Sequence, residues 1–278
     1  MSGGRDTPMF RQYMTLREQV PDAILFFRMG DFYELFFDDA RIASELLELT
    51  LTSRNKGAAD PIPMAGVPHH AARGYIQALV EKGYKVAIAD QVEDPKLAKG
   101  LVKRDIVRVV SPGVALDPES GAAREACWLV GILHEPSWGL ALLDVTTGDL
   151  RVTEPGTKAQ VIEELGRISP REVVLPESLS QDPELLEALR GVHQSPVHDT
   201  RFDVGAARQE LSRRLSVRDL SGFGAEDLGP ALAAAVAVLD YASSNLRGDL
   251  PHLRRIRPYS VTGFMVLDTA TRRNLELF

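Results

Sequence analysis

Apolar residues at Met9, Tyr13 and Leu16 keep helical spacing behind Thr7 and Pro8, a cap residue and a proline suited to the first turn, so the chain should open on a helix. The apolar run Ala23-Ile24-Leu25-Phe26-Phe27 follows and reads as a buried strand. Gly30-Asp31 supplies a turn, and Phe32-Tyr33-Glu34-Leu35-Phe36 a second strand, which together make a hairpin. Asp38 or Asp39 can cap a further helix with Ile42, Leu46, Leu47 and Leu49 as its apolar positions. Ser53 to Pro68, rich in Gly, Pro and polar residues, reads as a loop. A helix carrying Tyr75, Ile76, Leu79 and Val80 then ends at Gly83, and strands follow at Tyr84–Ala89 and Ile106–Val110. Lys96, Lys99, Lys103 and Arg104 form a basic segment between those two strands.

Pro112 to Arg124 has the composition of a linker. Beyond it strands are expected at Trp128–Leu133, Leu140–Val145 and Leu150–Thr153, with a turn at Thr146-Thr147-Gly148-Asp149. A helix near Lys158–Arg167, a strand at Glu172–Leu175, a helix at Pro183–Arg190 and a short strand near Val192 come next. An Ala-rich helix spans Pro230 to Leu246, and another begins at Asp268 and stops in mid-pattern at Phe278, so the chain looks cut there. Strands mixed with helices on both sides of a linker predict an α/β chain of about two domains: an α+β first domain with a mixed sheet, then an α/β second domain.

Composition narrows the possible functions. The net charge is −7, yet residues 1–115 hold 15 basic and 15 acidic residues, so the imbalance lies entirely in the remainder. Contact with a polyanion is therefore better sought in the first domain, through local geometry rather than a broad positive field. No Gly-x-x-x-x-Gly-Lys-Ser/Thr cradle occurs, so nucleotide hydrolysis by these residues is not expected, and no cofactor is assigned to them. One cysteine, Cys127, excludes an internal disulfide and a cysteine-based zinc site; with no apolar leader at the start, a cytoplasmic protein is expected. Adjacent His69 and His70 do not face each other on a helix and make a poor metal pair.

The segment Met29-Gly30-Asp31-Phe32-Tyr33-Glu34 carries the most information. On a strand Phe32, Glu34 and Phe36 share one face and Tyr33 takes the other. Phe32 as core and Glu34 as surface charge is one reading. The other makes Phe32 a wedge that unstacks a base step and Glu34 a hydrogen-bonding partner for an exposed base edge. Such a pair would sense how easily DNA deforms rather than its sequence.

At these residues the chain resembles the MutS family of DNA mismatch repair proteins. Residues Phe27 to Phe36 look like its Phe-x-Glu signature. Further blocks resemble it in order: Pro61-Ile62-Pro63-Met64-Ala65-Gly66-Val67-Pro68-His69-His70-Ala71, Val86 to Pro95, Val109 to Val114, and Leu267 to Leu277. The resemblance implies a mismatch-recognition domain at 1–115, a linker at 116–126, an RNase H-like connector at 127–250 and the start of a helical core at 251–278. It implies DNA contact by Phe32, Glu34, Tyr33, Met29, Arg54, Met64, Gly66 and His69, with the Pro63–Pro68 loop near the groove. Mismatched duplex DNA and MutL are the implied partners. Homodimerisation, ATP and Mg²⁺ belong to the full-length family, whose ATPase would lie outside these residues. The RNase H-like connector raises a rival, a metal-dependent nuclease built on Asp144 with Asp149 and Glu154 nearby.

Overall fold

The computed structural model describes residues 7–54, 61–94, 100–114 and 126–261. The expected linker at 116–126, the helix from Asp268, and Lys96 and Lys99 fall wholly or mainly outside them. The chain divides into two compact units, Met1–Leu116 with Asn245–Gly248, and Asp117–Ser244 with Asp249–Phe278. Each unit carries a six-stranded sheet with helices, an α/β fold. No helix among the described residues is long and apolar enough to cross a membrane.

In the first unit α1 (Pro8–Gln19) starts as the sequence dictates: the Thr7 hydroxyl accepts from the Phe10 amide, with proline directly after the cap. Strands β1 (Ala23–Met29) and β2 (Phe32–Phe36) form the hairpin, turning through Gly30 at φ +58°. Helix α2 (Phe37–Leu47) begins earlier than the carboxylates suggested and has no side-chain cap. Asp39 is buried in its first turn, where it accepts from the Leu25 amide at 3.0 Å and pairs with Arg17 at 3.2 Å. That carboxylate fastens helix to strand instead of capping the helix.

The stretch read as one loop contains two strands, β3 (Thr52–Arg54) and β4 (Ile62–Pro68). Proline and glycine hide the pattern in β4, whose Ile62, Ala65 and Val67 are buried; pairing with β2 and β3 supplies the order that propensity does not. A short 3₁₀ turn (His69–Ala71) then leads into α3 (Ala72–Glu81), followed by β5 (Lys85–Gln91) and β6 (Arg104–Val110). The strand order is β3-β4-β2-β1-β5-β6, and only β1 and β5 run parallel.

Helices α2 and α3 cover one sheet face, over Ile24, Phe26, Tyr33, Leu35, Val67 and Val86. The other face has α1, whose Phe10 and Tyr13 rings pack edge-on against Phe36 at 5.1 Å. One helix is too narrow to cover a six-stranded sheet. Among the described residues, Phe32 at the end of that face near the β1–β2 turn is exposed.

The second unit orders its strands β11-β10-β7-β8-β9-β12: β7 (Trp128–His134), β8 (Trp138–Asp144), β9 (Asp149–Thr153), β10 (Glu172–Pro176), β11 (His193–Val197) and β12 (Ile256–Pro258). Helices α4 (Lys158–Ile168) and α5 (Pro183–Ala188) pack over Val130, Ile132, Leu140 and Leu142. α7 (Pro230–Leu246) has the bounds its Ala-rich pattern predicts and meets the opposite face, where Gly131 and Gly139 leave room for its backbone. Helix α6 (Val204–Arg214) and β12 were not foreseen. In α6 only Ala207 and Leu211 are buried, too few to show a period, although Asp203 caps it at the Ala206 amide.

Candidate functional site

Strand alternation fixes the site. Because residues directly opposite share a face, register places Met29 beside Phe32, Phe27 and Gly66 on either side of Glu34, and Met64 between Phe36 and Thr52. Arg54 stands opposite Ile62 on the same face. Phe36, Phe27 and Ile62 are covered by α1 and its neighbours; Phe32, at the uncovered end, is 48% exposed. An exposed phenylalanine is ordinary by itself. One held on a rigid hairpin with a half-buried carboxylate two residues on is a built feature.

Glu34 is not a free acid. Arg54 donates to its carboxylate at 3.2 Å and lies 5.8 Å from the centre of the Phe10 ring. Burial pushes the Glu34 carboxyl above the ordinary carboxylate range, and the guanidiniums of Arg54 and Arg104 pull it back part of the way. Glu34 therefore holds its proton to higher pH than a solvated glutamate does. The carboxyl is an acceptor when ionised and a donor as well when protonated.

The remaining predicted residues divide between exposed and buried positions. Met29 and Met64 are half-buried and pack against the α1 core, Gly66 is exposed beside Glu34, and His69 is exposed at the head of the 3₁₀ turn. Tyr33 does not stand with Phe32 and Glu34. It points into the α2–α3 core at 5% exposure, and its hydroxyl donates to Asp90 at 2.9 Å. Alternation demands this, and it makes Tyr33 a brace under the hairpin instead of part of the exposed surface. The His69 ring lies 5.6 Å from that of Tyr33, and its amide donates to the Asp31 carbonyl at 2.8 Å, pinning the turn. Sequence reasoning missed Asp90, Gln12 and the structural part of Arg104, since their partners are distant in the chain and only the sheet order joins them.

Gly66 is not required by the fold. Its φ is not in the left-handed region, and an added Cβ would meet only the Tyr33 carbonyl at 3.7 Å and a Phe32 ring carbon at 3.9 Å, ordinary contacts. Glycine inside a strand weakens it by roughly 0.5–1 kcal/mol. We expect Gly66→Ala to hold or slightly raise the melting temperature; thermal denaturation checks it.

The acids of the rival nuclease reading are engaged elsewhere. Asp144 accepts from the Thr146 amide at 2.9 Å and its hydroxyl at 2.6 Å, ordinary turn chemistry. Asp149 pairs with Arg151 at 2.7 Å. Glu154 accepts from the Gly229 and Ala231 amides at 2.8 and 3.1 Å, at the head of α7. Among the described residues, no group of three or more His, Cys, Asp or Glu is placed to hold a metal ion.

Comparison with known proteins adds an independent line. Residues 7–119 match the family described as MutS domain I, and residues 122–254 match MutS domain II. Over 277 residues the chain is 45% identical to the DNA mismatch repair protein MutS of Syntrophobacter fumaroxidans, covering 98% of the chain and 31% of that protein. The corresponding proteins of Desulfatibacillum aliphaticivorans and Symbiobacterium thermophilum are each 44% identical, over 281 and 284 residues, with all of the chain covered and 32% of each relative. The chain thus spans about a third of the length of these curated relatives.

Proposed function

The chain belongs to the MutS family of DNA mismatch repair proteins, and from that premise we propose that its first unit tests duplex DNA for mispaired or unpaired bases. Phe32 is the wedge, stacking into a base step that a mispair has loosened. Glu34 hydrogen-bonds the edge of the base so exposed. Met29 flanks the wedge and Gly66 leaves space for the nucleotide backbone. Arg54 orients Glu34 and, at its exposed edge, meets phosphate. The observation that carries this reading is the exposed Phe32 ring on the same strand face as Glu34, at the end of the sheet that α1 leaves open.

The energetics are those of deformation. Unstacking a step of matched duplex costs a few kcal/mol, and a mispair lowers that cost, so a wedge of fixed strength settles where resistance is least. Stacking on an aromatic ring returns about 1–3 kcal/mol per base, enough to decide between the two cases. A carboxylate among phosphates opposes binding unless a base edge or a proton satisfies it. Titration of a G·T duplex against its G·C twin at fixed low salt tests the proposal: tighter binding of G·T supports it, and equal binding defeats it.

The sign of the pH dependence follows from Glu34. Its carboxyl lies above the usual range, so protonation is nearly complete only below that raised value and is lost as pH rises through it. Duplex affinity should therefore strengthen as pH falls through that raised value, and Glu34→Gln, permanently uncharged, should flatten that rise. Anisotropy titrations across a pH series check the slope.

For the second unit we propose a relay role, with MutL as the partner it meets. The full protein would be a cytoplasmic homodimer using ATP and Mg²⁺ at an ATPase beyond these 278 residues. These residues contain no Walker-type phosphate cradle. We assign these residues binding, not a reaction. Co-precipitation with MutL, with and without mismatched duplex, tests the relay.

A further inference from the structure

The pairing of β1 with β5 stops short of the hairpin tip that carries Phe32, although β5 itself continues to Gln91. β1 pairs with β5 from Ala23 opposite Lys85 to Phe27 opposite Ala89, which leaves Arg28 and Met29 outside that ladder. Arg104, at the start of β6 and 6% exposed, fills the gap. Its Nε donates to the Arg28 carbonyl at 2.5 Å, and its Nη1 donates to the Val102 carbonyl at 2.7 Å and to Gln12 Oε1 on α1 at 3.2 Å. Its guanidinium also lies over the Phe27 ring, 5.0 Å from the centroid. One planar group thus ties the hairpin end, α1 and β6 together on the face that bears Phe32. On the opposite face Tyr33 is held by Asp90.

We infer that Arg104 is a positioning residue for the mismatch probe: it holds the end of β1 so that Phe32 meets the duplex at a fixed height and angle. The inference rests on the wedge reading. A guanidinium suits the task because its planar fork makes several directed hydrogen bonds while stacking on an aromatic face. A buried group with three acceptors in its own chain is already spoken for, so its effect on DNA passes through the hairpin and Glu34. Displacing a probe by about 1 Å can cost a hundredfold where geometry decides the outcome.

The test compares the wild-type chain with Arg104→Gln and Arg104→Lys on G·T and G·C duplexes at one low salt concentration and across a pH series. For Arg104→Gln, preference for G·T should fall roughly tenfold or more. Binding of G·C, which depends on phosphate contacts elsewhere, should stay within about twofold. Losing a cation beside Glu34 should also move the pH at which G·T binding strengthens upward. Arg104→Lys keeps the charge and should keep the wild-type pH profile, but one ammonium cannot reproduce the fork, so preference should still fall. Wild-type preference in both variants overturns the inference and leaves the wedge reading standing, as does equal loss of matched and mismatched binding. If Arg104→Gln fails to fold by circular dichroism, Arg104→Lys decides alone. A wild-type chain without preference overturns both readings.

Discussion

Replacing Phe32 with alanine is expected to leave the chain folded and to bring its affinities for a G·T duplex and its G·C twin to nearly the same value. The ring is 48% exposed, so removing it creates no cavity, and a surface change of this kind shifts stability by about 0.5 kcal/mol or less. What is lost is stacking in the loosened step, about 1–3 kcal/mol and therefore most of the discrimination. Contacts to phosphate do not involve the ring, so the salt dependence of the remaining binding should match that of the wild type. Discrimination that survives the substitution would remove Phe32 from the mechanism. Phe36, two residues on and on the same face, is the contrasting case: fully buried between Phe10 and Tyr13, its alanine variant should lose about 3–5 kcal/mol of stability.

The second large effect lies in the other unit and has nothing to do with DNA. Gly139→Ala places a Cβ 2.3 Å from the Ala231 nitrogen and 2.3 Å from the Pro230 carbonyl carbon, both backbone atoms at the head of α7. Backbone cannot swing aside as a long side chain can, so the helix must lift from the sheet. Gly131 repeats the arrangement against the Ala234 carbonyl oxygen at 2.7 Å. The alanines of α7 and these two glycines let helix and sheet approach closely, and a methyl group between them is overpacking, costing about 1–3 kcal/mol. With three backbone atoms in the way, the Pro230 carbonyl oxygen at 2.6 Å being the third, Gly139→Ala should fall at the top of that range, and Gly139→Val should prevent the unit from folding. Urea denaturation followed by circular dichroism gives the number; a midpoint unchanged from the wild type would contradict this account of α7.

How much of this could be read from the sequence depended on whether the signal was local. The Thr7-Pro8 start of α1, the Ala23–Phe36 hairpin and the bounds of α7 rest on neighbouring residues and were legible. So was the shared face of Phe32, Glu34 and Phe36, which alternation alone dictates. Strands β3 and β4 were not legible, because Pro63, Gly66 and Pro68 mimic loop composition and only pairing with β2 shows otherwise. Asp38 or Asp39 reads as a cap because such residues favour helix starts, but α2 has no side-chain cap, and the partners of Asp39, Leu25 and Arg17, are set by tertiary packing. The site divides in the same way: Phe32 could be read directly, whereas the Arg54–Glu34 pair and the Arg104 tie exist only once the sheet order β3-β4-β2-β1-β5-β6 brings them together.

The central claim is that the Phe32 ring enters the duplex where a base pair has weakened. Phe32→p-benzoylphenylalanine, irradiated with a duplex carrying one mispair, addresses that claim at the ring itself. The account predicts a crosslink at the mispair or its immediate neighbour that moves along the duplex when the mispair is moved. Crosslinks spread evenly over the duplex, indifferent to where the mispair lies, would contradict it.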